Sequence, residues 1–275
     1  MLTAAHLITL LPLILVGSTA VIAMLGIAWQ RHHAVTALVS AAGLVAALVT
    51  LPLTIPAASS PPLMQVDGLA VMAGTLVLLS ALVTVILSHH YLTGYIGPRE
   101  EFYLLILCAT AGGLALVASN HLAMLFISLE LLSMPLYGML AYSFRAERSL
   151  EAGIKYLLLS AAATAFLLFG MALVYARTGA LDLPGIAGAL VDAPDAWMLA
   201  GAALMVVGLG FKLSVVPFHL WTPDVYQGGP APATIFLAKV SKLAVFVVLL
   251  RLVLAAPGRP GRHPGSTGET APPTA

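Results

Sequence analysis

Residues 197–255, WMLAGAALMVVGLGFKLSVVPFHLWTPDVYQGGPAPATIFLAKVSKLAVFVVLLRLVLA, hold two long apolar runs joined by a segment that suits neither helix nor strand. The runs, 197–216 and 233–255, are each long enough to cross the ~30 Å hydrocarbon layer of a bilayer as a helix. Between them comes Pro217, then Phe218-His219-Leu220-Trp221-Thr222-Pro223, then Gly228-Gly229-Pro230-Ala231-Pro232. A proline in a helix removes a backbone donor and clashes with the preceding turn. A broken helix at membrane depth is tolerated where it lines a cavity and often marks a transport site; the alternative is an ordinary proline kink followed by a loop. Three of the four lysines of the chain, Lys212, Lys239 and Lys242, fall inside these same two runs.

Working outward, six further apolar runs are readable, at about 7–28, 34–54, 69–91, 102–118, 121–143 and 153–176. Backbone groups facing lipid must be satisfied within their own segment, and the alternation of a membrane β-barrel is missing. The predicted fold is therefore all-α: a polytopic membrane helix bundle of about eight transmembrane helices with a broken seventh. Composition agrees, because 8% charged residues and a mean hydropathy of +1.02 exclude a water-soluble enzyme. A net charge of +1 provides no basic patch for nucleic acid. Cys108, the single cysteine, excludes an internal disulfide and a cysteine-based metal or iron–sulfur site. Gly208-Leu-Gly210 lacks the third glycine and the strand of a dinucleotide fingerprint, and neither a His-Glu-x-x-His motif nor a P-loop occurs. The first run has no basic leader and is too long for a cleaved signal, so it reads as a retained span.

Loop charges give an orientation. The loops opposite the N-terminus carry Arg31, Arg99, Arg145 and Arg148, whereas those on its own side carry only Arg177, beside Asp67, Asp182, Asp192 and Asp195. By the positive-inside rule the Arg-rich loops are cytoplasmic and the N-terminus periplasmic. Tyr91, Tyr95, Tyr142, Tyr175 and Trp197 lie near span ends, as interfacial aromatics do. Residues 257–275, with five prolines and four glycines, have no apolar run and are expected to be disordered.

All four lysines lie inside spans, whereas the arginines lie in loops, with Arg251 a partial exception near the end of the last span. Glu130 is mid-span in the fifth run. A charge at a helix centre costs ~2.5–3.5 kcal/mol on the insertion scale, so such groups face the bundle interior, pair, or touch water. Lys155 follows Glu151 by four residues and either snorkels as a helix ion pair or faces inward. Lys212 precedes His219 by seven residues, two turns, which predicts one shared face. Lys239 and Lys242, three apart in mid-span, are the hardest to explain by snorkelling. His219 is either a proton carrier or a hydrogen-bonded packing residue.

Three stretches carry a resemblance: EFYLLILCATAGGLALVASNHLAMLFISLELLSMPLYGMLAYSFR (101–145), RSLEAGIKYLLLSAAATAFLLFGMALVYARTG (148–179) and GLGFKLSVVPFHLWTPDVYQGG (208–229). They resemble the subunit N family of bacterial NADH–quinone oxidoreductase, respiratory complex I, one of the antiporter-like proton-transporting groups. The resemblance covers roughly residues 1–256 and is most specific from Phe211 to Asp224. It implies a proton-translocating subunit of the bacterial inner membrane that partners other membrane and peripheral subunits. It implies no cofactor in this chain, with FMN, iron–sulfur clusters and quinone in the partners. It further implies that Glu130 pairs with Lys212 on the broken helix, that Lys155 and Lys242 match family lysines of the sixth and eighth helices, and that His219 matches the histidine after the break. Lys239 is an additional lysine. The family fold has fourteen helices: three at the N-terminus, then two inverted five-helix units. Residues 1–100 are expected to form the three-helix segment and 101–256 one five-helix proton-transporting unit. The chain is thus expected to be an N-terminal piece, with 257–275 an out-of-frame tail. Two other functions fit the same residues: a cation/proton antiporter subunit, and a non-conducting truncated scaffold.

Overall fold

The computed structural model describes residues 4–57, 63–95, 97–192 and 195–255, so the expectation for 257–275 lies outside the described residues. Every regular element among them is helical. In chain order these are α1 (Ala4–Trp29), α2 (His33–Thr50) with a 3₁₀ extension (Leu51–Ala57), α3 (Gly68–Leu92), α4 (Glu101–Val117), α5 (Leu122–Leu140), α6 (Glu147–Thr178), α7 (Leu183–Asp192), α8 (Ala196–Leu213), α9 (Thr222–Gly228), α10 (Ala231–Phe236), a π-turn (Leu237–Ser241) and α11 (Lys242–Ala255).

Seven segments are long and apolar enough to span a membrane, the last being the continuous stretch Ala231–Ala255. The remaining expected span is α4, which at 17 residues rises about 26 Å. Position explains its length: most of its side chains, from Phe102 to Val117, are buried against neighbouring helices, so α4 is the protein-enclosed axis of the bundle. The outer helices do the reverse. Leu25, Ile22 and Phe169 are about 60% exposed, the apolar surface a lipid-facing helix presents.

The chain alternates between two ends. At one, Met64 bridges Ser119, His121 bridges Asp182, and Arg177 pairs with Asp195. At the other, Arg31 pairs with Glu101 at 2.8 Å and Arg99 donates to the Tyr95 carbonyl. The arginine-rich loops therefore share one end. Tyr91, Tyr175 and Trp197 are exposed near their span ends. Tyr95 and Tyr142 are half-buried instead: Tyr95 donates to the Tyr142 carbonyl and Tyr142 to the Pro98 carbonyl, so the two hydroxyls tie the loops of this end together.

Helices touch through glycine. A Cβ on Gly170 would lie 2.6 Å from the Gly201 carbonyl, joining α6 to α8 backbone to backbone, although none of the apolar runs carries a glycine pair at four-residue spacing. Gly112 does the same between α4 and α5. Its added Cβ would sit 2.3 Å from the Leu132 nitrogen, backbone that cannot yield. Gly112→Ala is expected to cost about 1–3 kcal/mol, as overpacking does. Thermal unfolding of the detergent-solubilised protein checks this, and an unchanged midpoint would contradict it.

Candidate functional site: a buried lysine at a broken helix

Helix α8 ends before Pro217. It closes at Leu213, and Ser214 adopts a left-handed conformation (φ 59°, ψ 39°) that turns the chain out of the helix. Lys212 and His219 consequently do not share a helix face, which corrects the two-turn expectation: the register that would align them is broken after Leu213. Lys212 is the last inward-facing residue of α8 and only 1% exposed.

Its surroundings come from α5 and α6. Lys212 Nζ donates to Ser133 Oγ at 2.7 Å and to Ser160 Oγ at 2.6 Å. Ser160 Oγ is in turn 2.8 Å from the Tyr137 hydroxyl, and Ser133 donates to the Leu129 carbonyl. The ring of Tyr156 lies below, its centroid 5.8 Å from Nζ. The ammonium is thus held by hydroxyls and an aromatic face. Glu130 does not pair with it. Its Oε1 accepts instead from Thr164 at 3.0 Å, one layer along the same α5–α6 seam.

This arrangement has a chemical consequence. A carboxylate accepts only, and so favours a charged lysine. A hydroxyl both donates and accepts, so it can take a hydrogen bond from an ammonium or, after rotation, give one to a neutral amine. The serine cradle serves both protonation states, and Glu130 stands close by as a separate carboxylate.

Lys242 opens α11 directly after the π-turn and is half-buried, its Nζ 5.4 Å from the Tyr226 ring centroid. Lys239, within the π-turn, is exposed. Two lysines three apart would share a face of an α-helix; the wide turn between them sends one in and one out, so mid-span burial holds only for Lys242. Lys155 joins neither. Its Nζ contacts Glu151 at 2.6 Å and Asp224 at 2.8 Å, on the arginine-rich end, beside a cleft of about 230 Å³ also lined by Arg148 and Gln227. The ion-pair alternative describes it. With that side chain 42% exposed, Lys155→Ala is expected to leave the unfolding midpoint in detergent essentially unchanged. His219 is half-buried after the break, its Nδ1 without a hydrogen-bond partner among the described residues.

Residues 119–260, which contain this seam, the broken helix and both lysine runs, match the profile of the family described as NADH:quinone oxidoreductase/Mrp antiporter, transmembrane. The chain belongs to that family. Over 255 residues it is 61% identical to NADH-quinone oxidoreductase subunit N of Chromohalobacter salexigens, covering 91% of this chain and 53% of that protein. A chain of respiratory complex I from Thermus thermophilus superposes with a TM-score of 0.77 at 37% identity, covering 90% of this chain and 53% of that one. A chain of the Mrp complex from Dietzia sp. shares the fold, with a TM-score of 0.76 at 22% identity over 91% of this chain and 49% of that one. The chain spans about half the length of the curated relative and of the solved chains it matches.

Within this family member Glu130 and Lys212 stand out in the sequence, whereas their hydrogen-bond partners do not. A signal for them existed. Glu130, Ser133 and Tyr137 are three and four apart on α5, and Tyr156, Ser160 and Thr164 are four and four apart on α6, each a polar stripe along one helix face. Arg251 likewise has no role legible in the sequence. It is 6% exposed and donates to both oxygens of Asp67, at 3.1 and 2.7 Å, and to the Gln65 and Val117 carbonyls.

Proposed function

We propose that this chain is a proton-translocating membrane subunit of a bacterial NADH–quinone oxidoreductase. The observation that carries the reading is a fully buried lysine at a helix break, held by hydroxyls that suit both its protonation states. A membrane protein bears the cost of an intramembrane ammonium where the charge is used. Lys212 loads a proton arriving from the arginine-rich, cytoplasmic end, Glu130 modulates its proton affinity through space, and Lys242 receives the proton further along the bundle. Lys155 acts at the cytoplasmic mouth with Asp224, and His219 stands on the broken segment between. The N-terminus is periplasmic, α1–α3 form a three-helix segment, and α4–α11 form the proton-transporting unit. Partner subunits hold FMN, iron–sulfur clusters and quinone and oxidise NADH; this chain carries the proton step. The high identity to a subunit N supports this choice.

A cation/proton antiporter subunit is the second reading, favoured by the fold shared with the Mrp chain. The same measurement separates the two. In inverted membrane vesicles the first reading requires NADH-driven proton uptake that depends on Lys212, whereas the second requires sodium-dependent proton exchange without NADH. Assembly of the complex with uptake indifferent to Lys212 would instead identify a scaffold.

A further inference from the structure

Of the eight buried side-chain polar atoms without a hydrogen-bond partner among the described residues, five belong to one neighbourhood: those of Tyr156, Ser214, His219, Thr222 and Tyr226. Four of these residues lie on the broken segment after α8, and Tyr156 faces it from α6. Tyr156 is 0% exposed, so its hydroxyl has no route to bulk solvent. An unsatisfied buried hydroxyl is destabilising, and proteins satisfy such groups with buried water held by two to four polar partners.

The placement is what gives the unpartnered hydroxyls meaning. Lys212 Nζ is 5.8 Å from the Tyr156 ring, Tyr156 is 5.0 Å from Trp221, Trp221 is 6.4 Å from Tyr226, and Tyr226 is 5.4 Å from Lys242 Nζ. These contacts run without a gap from one lysine to the other. Ser241, on the π-turn before Lys242, is a near neighbour of the Tyr156 hydroxyl. The Lys212 cradle itself closes on Ser133, Ser160 and Tyr137, and leads no further by direct hydrogen bonds among the described residues.

We propose that Tyr156 is the link between the two lysines: its hydroxyl, with that of Tyr226, holds a short water chain that carries a proton from Lys212 to Lys242. The inference rests on the reading of the chain as proton-translocating. The step balances as a relay. The Lys212 ammonium releases a proton into the chain, each hydroxyl or water accepts one proton and passes on its own, and the Lys242 amine takes up the last. Tyr156 begins and ends neutral, and no oxidant or reductant takes part. A phenol suits the task because it donates and accepts at one oxygen.

The test is Tyr156→Phe, made in the host's own gene, with Tyr226→Phe and Lys212→Met alongside. Phenylalanine keeps the ring under Lys212 and against Trp221, so the complex is expected to assemble as in the parent, and uptake is read per assembled complex. NADH-driven proton uptake in inverted vesicles is expected to fall about threefold or more, with a larger solvent deuterium effect, since a positioned proton-transfer group is lost. Tyr226→Phe should lose a similar amount, and the double variant no more than the worse single, because both act in one path. Parent-level uptake in both tyrosine variants, with uptake lost in Lys212→Met, would overturn the link and leave the relay standing. Parent-level uptake in Lys212→Met would overturn the proton-translocating reading and the link with it. If Tyr156→Phe fails to assemble, Tyr226→Phe decides alone: reduced uptake supports the link, parent-level uptake overturns it.

Discussion

Lys212→Met is expected to abolish NADH-driven proton uptake while leaving the protein as stable as before, or more so. Methionine has nearly the same length as lysine and no charge. Removing the ammonium orphans nothing, because Ser133 still donates to the Leu129 carbonyl and Ser160 keeps its 2.8 Å contact with the Tyr137 hydroxyl. The substitution also relieves a charge at membrane depth, which the insertion scale sets at ~2.5–3.5 kcal/mol. Replacing a buried charge by an apolar group of similar volume is often neutral or stabilising. A positioned proton-transfer group contributes ~10²–10⁴-fold to its step, so uptake should drop to the background of a vesicle assay. Thermal unfolding should meanwhile show no loss. A stable protein that still pumps at the parent rate would remove Lys212 from the mechanism.

Arg251→Met is expected to do the opposite, with a large loss of stability and no specific effect on the proton step. Arg251 ties the end of α11 to the start of α3 and the end of α4, reaching Asp67 across 184 residues. Its loss leaves a carboxylate and two carbonyls facing a methionine. Breaking a buried ion pair costs ~3–5 kcal/mol, and because the Asp67 side chain is 36% exposed the lower end, about 3 kcal/mol, is expected. The pH dependence has a defined sign. Burial pushes the Asp67 carboxyl up, but the Arg251 hydrogen bonds and the Ala70 amide outweigh it, and its pKa lies below the ordinary carboxylate value. A carboxyl lowered on folding stabilises the native state above its unfolded pKa, near 3.9, and that contribution is lost as pH falls through the folded value. Unfolding midpoints compared between neutral pH and pH about 3 should fall further for the parent than for Arg251→Met. Equal falls would show that the pair contributes nothing.

The contrast between these two cations marks how far the sequence could be read. Both were visible as charges within or beside apolar runs, and the energetics of lipid required each to have a partner. Which partner was not visible. Ser133, Ser160 and Tyr137 are ordinary residues one at a time, and they become a cradle only because α5 and α6 present their polar stripes to the end of α8. Glu130, expected from resemblance to act with Lys212, takes its hydrogen bond from Thr164 one layer along the seam, while Lys212 bonds the two serines. Lys239 and Lys242 looked equivalent, since three-residue spacing is all the chain states; the π-turn that separates them leaves no compositional mark.

Sequence alone determined that this is an all-helical membrane protein, where its spans run, that the seventh is broken, and which few residues bear charge at depth. Those properties are local, because span length and insertion cost are set by about 20 consecutive residues and the bilayer. Tertiary structure alone decided which charges are paired, which are cradled and which face outward. Those properties depend on groups far apart in the chain meeting within 3 Å, and hydrogen bonds of that reach are fixed by the packing of helices, not by the content of any one of them.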